Sequence, residues 1–81
     1  MTTFKDRSVI ITGAGKGIGR ACAIELANRG ARIIAIARTQ GDLASLEELT
    51  GCVSIIADLA DTAVAREAMQ EAGCCDYLIN C

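Results

Sequence analysis

The chain has 81 residues, 52% of them hydrophobic, and it contains no proline. This length allows at most one small domain, and the apolar fraction excludes a disordered or collagen-like chain. The net charge of −2 argues against nucleic acid as the main partner, and the apolar run at 33–37 is far too short to cross a membrane.

A glycine-rich segment follows the first apolar run of the chain. Residues 9–12, which are mostly β-branched, predict a buried parallel strand, and four glycines come directly after them, Gly13, Gly15, Gly17 and Gly19. Glycine accepts positive φ and has no Cβ, so such a turn lets the backbone approach the phosphates of a dinucleotide. The spacing differs from G-x-G-x-x-G because residue 18 is Ile18, and a glycine cluster by itself is a weak signal.

Helix and strand patterns then alternate. The sequence predicts strands over 32–37, 52–57 and 77–79. It predicts a first helix over 17–28, with Ile18, Cys22 and Leu26 on one apolar stripe. The stripe of the second helix is formed by Leu43, Leu46 and Leu49, and that of the third helix by Val64, Ala68, Met69 and Ala72. Gly30, Gly51 and Gly73 are placed to end the three helices.

This alternation indicates an α/β fold with a parallel sheet and right-handed crossovers. We expect a Rossmann-type sheet of strand order 3-2-1-4, flanked by helices, with the glycine turn at the switch between strands 1 and 4. Because strand 4 would leave an apolar edge uncovered, we expect 1–81 to be a partial dinucleotide-binding domain, truncated after strand 4.

The cysteines indicate the compartment. There are five, an odd number, with Cys74 adjacent to Cys75 and no histidine in the chain. Residues 1–7 lack the apolar segment of a secretory signal, so we expect reduced cysteines in a cytoplasmic protein. Without histidine or a C-x-x-C pair, we predict no metal site.

Three motifs resemble the short-chain dehydrogenase/reductase family. Residues 12–19 match its T-G-x-x-x-G-x-G signature, Asp58 and Leu59 resemble its adenine-contacting Asp-aliphatic pair, and 76–80 resemble the strand that leads into its N-N-A-G motif. Residues 13–20 and 37–40 are most similar to the L-xylulose (dicarbonyl)/carbonyl reductase branch. One departure is Cys81, which stands where the second Asn of N-N-A-G would be.

The charges near the end of strand 2 predict NADP(H) as the cofactor. Sites that prefer NAD place an acid there, whereas this chain has Arg38 and no acid before Asp42. A guanidinium pairs with the 2′-phosphate of NADP, and Lys16 would add a second positive charge. The resemblance implies the same, since NADPH-preferring members carry basic residues at both places. The alternatives are a solvated Arg38 and an ordinary loop lysine.

Three further candidates each have a structural alternative. Thr39 donates to the 2′-phosphate, or it caps the second helix through Thr39-x-x-Asp42, or both. Asp58 accepts from the adenine amino group, or it only ends a strand. Asn80 lies at the carboxyl end of a strand, where ligands of open α/β sheets bind, but it also fits ordinary turn chemistry.

No catalytic residue can be assigned. The family's Tyr-x-x-x-Lys pair is not matched at Tyr77, because Cys81 follows four positions later. We expect Tyr77 in the core or at its rim, and Asp61 as the cap of the third helix.

The resemblance implies an NADP-dependent carbonyl or sugar reductase that transfers hydride to a carbonyl and forms homo-oligomers. The family's Ser, Tyr and Lys lie after strand 4, so residues 1–81 alone are expected to be inactive. The alternatives are a non-catalytic nucleotide-binding or interaction module formed by a truncated chain and, more weakly, a methyltransferase with a glycine-rich loop. The methyltransferase is the weaker alternative because this chain has no acid at the end of strand 2 to hold the ribose hydroxyls of a methyltransferase cofactor.

Overall fold

The computed structural model describes residues 4–81. Residues 1–3, part of the segment 1–7 in which we predicted no secretory signal, lie outside the described residues. The elements are β1 (Ser8–Thr12), α1 (Gly17–Asn28), β2 (Arg32–Ala37), α2 (Gln40–Thr50), β3 (Val53–Ile56), α3 (Thr62–Ala72) and β4 (Tyr77–Asn80). All strand pairs are parallel and the sheet order is β3-β2-β1-β4. The predicted Rossmann-type architecture and strand order are confirmed.

The central strand is β1, which is buried on both faces. Val9 and Ile11 are completely buried, and Ile10 is 3% exposed. Successive side chains of a strand point to opposite faces, so Val9 and Ile11 enter one core layer and Ile10 enters the other. A strand that is apolar on both faces requires helices on both sides of the sheet.

The helices supply these two layers. Ala23 of α1 and Leu43 and Leu46 of α2 pack against the face formed by Val9 and Ile11. On the other face, Ala68 of α3 packs with Ile10, Ile36 and Ile55, and Val64, Met69 and Ala72 lie around it as the predicted stripe. None of the helices in residues 4–81 has the length and apolarity needed to cross a membrane.

The buried stripe of α1 differs from the predicted one. Gly19 and Ala23 are buried, whereas Ile18 is 77% exposed and Cys22 and Leu26 are only half-buried. Because Gly19 has no side chain, α1 can pack closely against the Gly13 carbonyl of the preceding turn. Gly19 therefore faces inward and Ile18 turns outward. The prediction that Ile18 joins the apolar stripe is therefore wrong.

Two further apolar side chains, Leu49 and Tyr77, are exposed. Leu49 was expected on the stripe of α2 but is 60% exposed, because a spacing of three residues falls short of a full helical turn and rotates Leu49 off the face of Leu43 and Leu46. Tyr77 lies at the rim of β4, 49% exposed, with its ring in an edge-to-face contact with Phe4. The structure contains the five cysteines as free thiols.

Asp76 fastens the amino end of β4 to the start of β1. The Ser8 backbone N–H donates to Asp76 Oδ2 at 2.8 Å, and Arg7 Nη1 lies 3.8 Å from Oδ1. The Asp76 N–H in turn donates to the Ser8 carbonyl oxygen at 2.9 Å. The hydrogen bond from the Ser8 backbone, aided by the charge of Arg7, lowers the pKa of Asp76 below its usual 3.8 despite some desolvation.

This clamp makes stability depend on pH. A carboxyl group with a lowered pKa in the folded state stabilises the fold above its unfolded pKa, and that contribution is lost as the pH falls through the folded pKa. We expect Asp76→Asn to lower the denaturant midpoint at neutral pH, with the difference from wild type disappearing below the usual pKa of 3.8. Urea titrations across this range measure it. Glu67→Gln, which neutralises an exposed acid on α3, should show no such convergence.

Candidate functional site

The carboxyl ends of all four strands open into one cavity of about 470 Å³. This is the edge of an open α/β sheet where ligands bind, and the volume is within the range of small-molecule sites. The lining residues are Thr12, Gly13, Gly15 and Lys16 after β1, Ile36, Ala37, Arg38, Thr39 and Asp42 around the end of β2, Ala57, Asp58, Leu59 and Ala60 after β3, and Asn80 and Cys81 at β4.

The glycine turn is built from backbone contacts that exclude side chains. Gly13 has φ +63°, and a Cβ added there would lie 2.7 Å from the carbonyl oxygen of Cys81. A Cβ on Gly19 would collide with the carbonyl oxygen of Gly13. The turn therefore packs between the first turn of α1 and the end of β4, and its Gly13 and Gly15 line the cavity without side chains of their own.

Thr12 connects the end of β1 to the end of β4. Its hydroxyl donates to Asn80 Oδ1 at 2.7 Å and accepts from the Cys81 N–H at 3.3 Å. Among residues 4–81, Thr12 is the one polar residue that is buried, with 3% of its surface exposed. These two bonds hold Asn80 and the end of β4 at the edge of the cavity.

The amino end of α1 points to this turn without a neutralising group. Its N-cap, Lys16, makes no side-chain cap hydrogen bond, and the first turn contains no acidic residue. The first amides of a helix and the positive end of its dipole attract anions when nothing else satisfies them. Gly17, Ile18 and Gly19, which the sequence also nominated, do not line the cavity but form this first turn.

The positive groups lie on the side of the cavity near β2. Arg38 and Thr39 line it directly after β2, and Lys16 faces them from the glycine turn. The Lys16 ammonium lies 3.9 Å from Asp42 Oδ2. Thr39 is the N-cap residue of α2 by position, yet its side chain makes no cap hydrogen bond, so the predicted capping box is wrong. Asp42 pairs with Lys16 instead.

Asp58 and Leu59 form the wall after β3. Asp58 Oδ1 accepts from the Ala60 N–H at 3.0 Å, and the Asp58 carbonyl oxygen accepts from the Asp61 N–H at 3.1 Å. Leu59 is half-buried against the core layer of α3. The predicted cap is confirmed, because Asp61 Oδ1 accepts from the Ala63 and Val64 amides.

Among the lining residues that the sequence did not predict to bind cofactor, two carry a hydroxyl or a carboxylate, Thr12 and Asp42. Thr12 is the polar residue at the carboxyl end of β1, directly after the buried apolar residues 9–11, and a polar residue at that position is a sequence signal for a hydroxyl that faces the site. In the sequence, Asp42 is the first acid after strand 2 and part of a capping pattern, and sequence spacing cannot show that the first turn of α2 lies against the glycine turn. A Cβ on Gly15 would lie 3.1 Å from Asp42 Cβ.

A family profile matches nearly the whole chain. The profile of the short chain dehydrogenase family covers residues 7–81. Human L-xylulose reductase is 44% identical over 75 residues, which are 91% of this chain and 31% of that protein. Pig carbonyl reductase [NADPH] 2 is 41% identical over 78 residues, which are 95% of this chain and 32% of that protein. The chain thus spans about a third of the length of these relatives.

Solved structures share the fold. A short chain dehydrogenase/reductase family oxidoreductase from Aeromonas hydrophila superposes with a TM-score of 0.88 at 33% identity. The superposition covers 93% of this chain and 39% of that one. The same strand order and glycine turn therefore belong to a recurrent arrangement.

Two helical glycines test the packing of the turn. We expect Gly19→Ala to lower the free energy of unfolding by about 1–3 kcal/mol, because the new methyl group overpacks the Gly13 carbonyl. Gly41→Ala on α2 is the matched control: nothing lies within 4 Å of a Cβ there, and it should stabilise the helix by up to about 1 kcal/mol. Urea unfolding measures both. Equal effects at the two positions would contradict the close contact.

Thr12→Val keeps the shape of the side chain and removes its hydroxyl. Because the Asn80 amide and the Cys81 N–H then lose a partner, we expect a loss of about 1–3 kcal/mol in unfolding free energy. Thr62→Val, at an exposed position of α3, should change it by less than about 0.5 kcal/mol. A Thr12→Val protein as stable as wild type would show that these hydrogen bonds do not hold β4.

Proposed function

The chain belongs to the short chain dehydrogenase family, and on that premise we propose that it is the cofactor-binding part of an NADP-dependent carbonyl or sugar reductase. The family implies a nicotinamide dinucleotide as cofactor. The observation that carries the choice of NADP is the placement of Arg38 and Lys16 on the same cavity as the glycine turn. The positive charges of Arg38 and Lys16 favour NADP, because NADP carries a 2′-phosphate that NAD lacks.

Two features of the cavity support a dinucleotide as its ligand. Gly13 and Gly15 line it without side chains, and a Cβ on Gly13 would meet the Cys81 backbone. The amino end of α1 adds unsatisfied N–H donors with no acidic residue beside them. Peptide donors and a helix dipole at one turn are the features that a pyrophosphate requires. We assign the pyrophosphate to this turn.

The 2′-phosphate is assigned to Arg38, with Thr39 and Lys16 beside it. A guanidinium offers two parallel N–H donors to a phosphate, and such charge-assisted bonds are about twice as strong as neutral ones. The hydroxyl of Thr39 is not used for capping α2, so it is available as a further donor. Among the lining residues near β2, the acid is Asp42, which already pairs with Lys16.

The remaining wall supports the adenine and the central part of the cofactor. Asp58 uses Oδ1 for its own turn, which leaves Oδ2 to accept from the adenine amino group. Leu59 lines the cavity next to it and provides an apolar surface for the ring. Asn80, held by Thr12, stands at the end of β4 on the side of the ribose that precedes the nicotinamide.

When bound, NADPH would supply the hydride, and the residues of this chain would hold its adenosine, 2′-phosphate and pyrophosphate. We propose that the substrate is a small carbonyl compound or a sugar, in line with the reductase names of the relatives. The family's Ser, Tyr and Lys have no match in 1–81, so we place proton donation outside this segment and expect the segment alone to be inactive. A homo-oligomer in the cytoplasm remains our prediction. The family match does not favour a non-catalytic module or a methyltransferase.

The test reverses the charge at the 2′-phosphate. We expect Arg38→Asp in the full-length protein to weaken NADPH binding about 10- to 100-fold, because a charge-assisted phosphate contact of about 1.5–3 kcal/mol is lost. NADH binding should change far less, since NADH has no 2′-phosphate. Fluorescence titration with both nucleotides gives the two dissociation constants.

A matched control removes the same charge elsewhere. Arg66→Asp on α3 lies outside the cavity and should leave the ratio of the two affinities unchanged. Equal losses of NADPH and NADH binding in Arg38→Asp would remove Arg38 from the phosphate site. A wild-type protein that binds neither nucleotide would refute the proposed function.

A further inference from the structure

We infer that Asp42 is a specificity-determining residue for the 2′-phosphate. Asp42 is the counter-ion of Lys16 in the free site, and the 2′-phosphate displaces Asp42 from Lys16. Asp42 therefore limits how tightly the site holds that phosphate. This inference rests on the proposed NADP site. It concerns a residue that makes the cavity less positive, in contrast to the basic residues that attract the cofactor.

Asp42 is fixed in position by its helix. It is the third residue of α2, directly before Leu43, which is 1% exposed and anchored in the core. Its Cβ also lies 3.1 Å from the place that a Cβ on Gly15 would occupy, so the glycine turn packs directly on it. The side chain is 30% exposed and lines the cavity. The carboxylate therefore cannot move far from the phosphate site.

Lys16 is the mobile partner of this pair. Its side chain is 83% exposed and its ammonium lies 3.9 Å from Asp42 Oδ2. A lysine carries a compact charge on a flexible stem with several rotatable bonds. When an anion enters between the glycine turn and Arg38, Lys16 can turn toward it, whereas Asp42 stays where α2 holds it.

Two electrostatic costs follow for a ligand with a 2′-phosphate. Its binding requires Lys16 to leave Asp42, and it brings a phosphate into the cavity that already holds the Asp42 carboxylate. Both costs are larger for a nucleotide that carries the 2′-phosphate than for one without it, because the 2′-phosphate adds negative charge beside Arg38, Lys16 and Asp42. An exposed ion pair contributes at most about 1 kcal/mol, so neutralising Asp42 should tighten 2′-phosphate binding about two- to fivefold.

The probes are 2′,5′-ADP and 5′-AMP, which differ by the 2′-phosphate. We expect Asp42→Asn in the full-length protein to lower the dissociation constant of 2′,5′-ADP two- to fivefold by calorimetric titration. The constant for 5′-AMP should change by a clearly smaller factor, since it lacks the 2′-phosphate. The gain should shrink as salt is added toward about 1 M, where the screening length is about 3 Å.

Two further variants separate this role from a structural one. Glu48→Gln removes one negative charge from an exposed position of the same helix and should leave both constants unchanged. In a Lys16→Gln background, Asp42→Asn should tighten 2′,5′-ADP binding less than half as much, because no ion pair remains to be broken.

Several outcomes would overturn the inference. If Asp42→Asn lowers stability and shifts both constants equally, Asp42 serves only the first turn of α2. If it weakens 2′,5′-ADP binding alone, Asp42 positions Lys16 for the phosphate instead of competing with it. If wild type binds 2′,5′-ADP no better than 5′-AMP, the NADP assignment fails as well, so the two failures are distinguishable.

Discussion

The structure depends on three backbone segments that meet at Gly13. The turn after β1, the first turn of α1 and the end of β4 approach one another so closely that a Cβ on Gly13 or Gly19 would meet a carbonyl group. Gly13 and Gly15 also line the cavity, and neither has a side chain that would project into it. The same contacts set the direction in which α1 leaves the sheet, which explains why Gly19 and not Ile18 faces the core.

The pairing of β1 with β4 is secured differently at its two ends. At the amino end Asp76 binds Ser8 and lies near Arg7, on the side of the sheet away from the cavity. At the carboxyl end the bonds run from the Thr12 hydroxyl to Asn80 and Cys81, within the cavity wall. The first end serves stability alone. The second also presents a polar surface to a ligand, so it joins fold stability to the site.

The charges of the cavity form a balanced set. Arg38 and Lys16 offer positive charge to a phosphate, while Asp42 sits among them and already pairs with Lys16. In the NADP site that we propose, affinity for the 2′-phosphate would be the difference between attraction and the cost of separating that pair. Such a balance would keep the cofactor exchangeable, because a site with every cation unpaired holds a phosphate more tightly.

The sequence by itself determined the fold class, the strand order and most of the residues around the cavity. Its periodicity of apolar residues and the glycine spacing are local signals, and parallel strands necessarily bring their carboxyl ends to one edge. Only the tertiary structure decided which face of α1 is buried, why Thr39 does not cap α2, and that Asp42 meets Lys16. These depend on how α1 and α2 pack against the turn, and residues 26 positions apart carry no pattern along the chain that records such a contact.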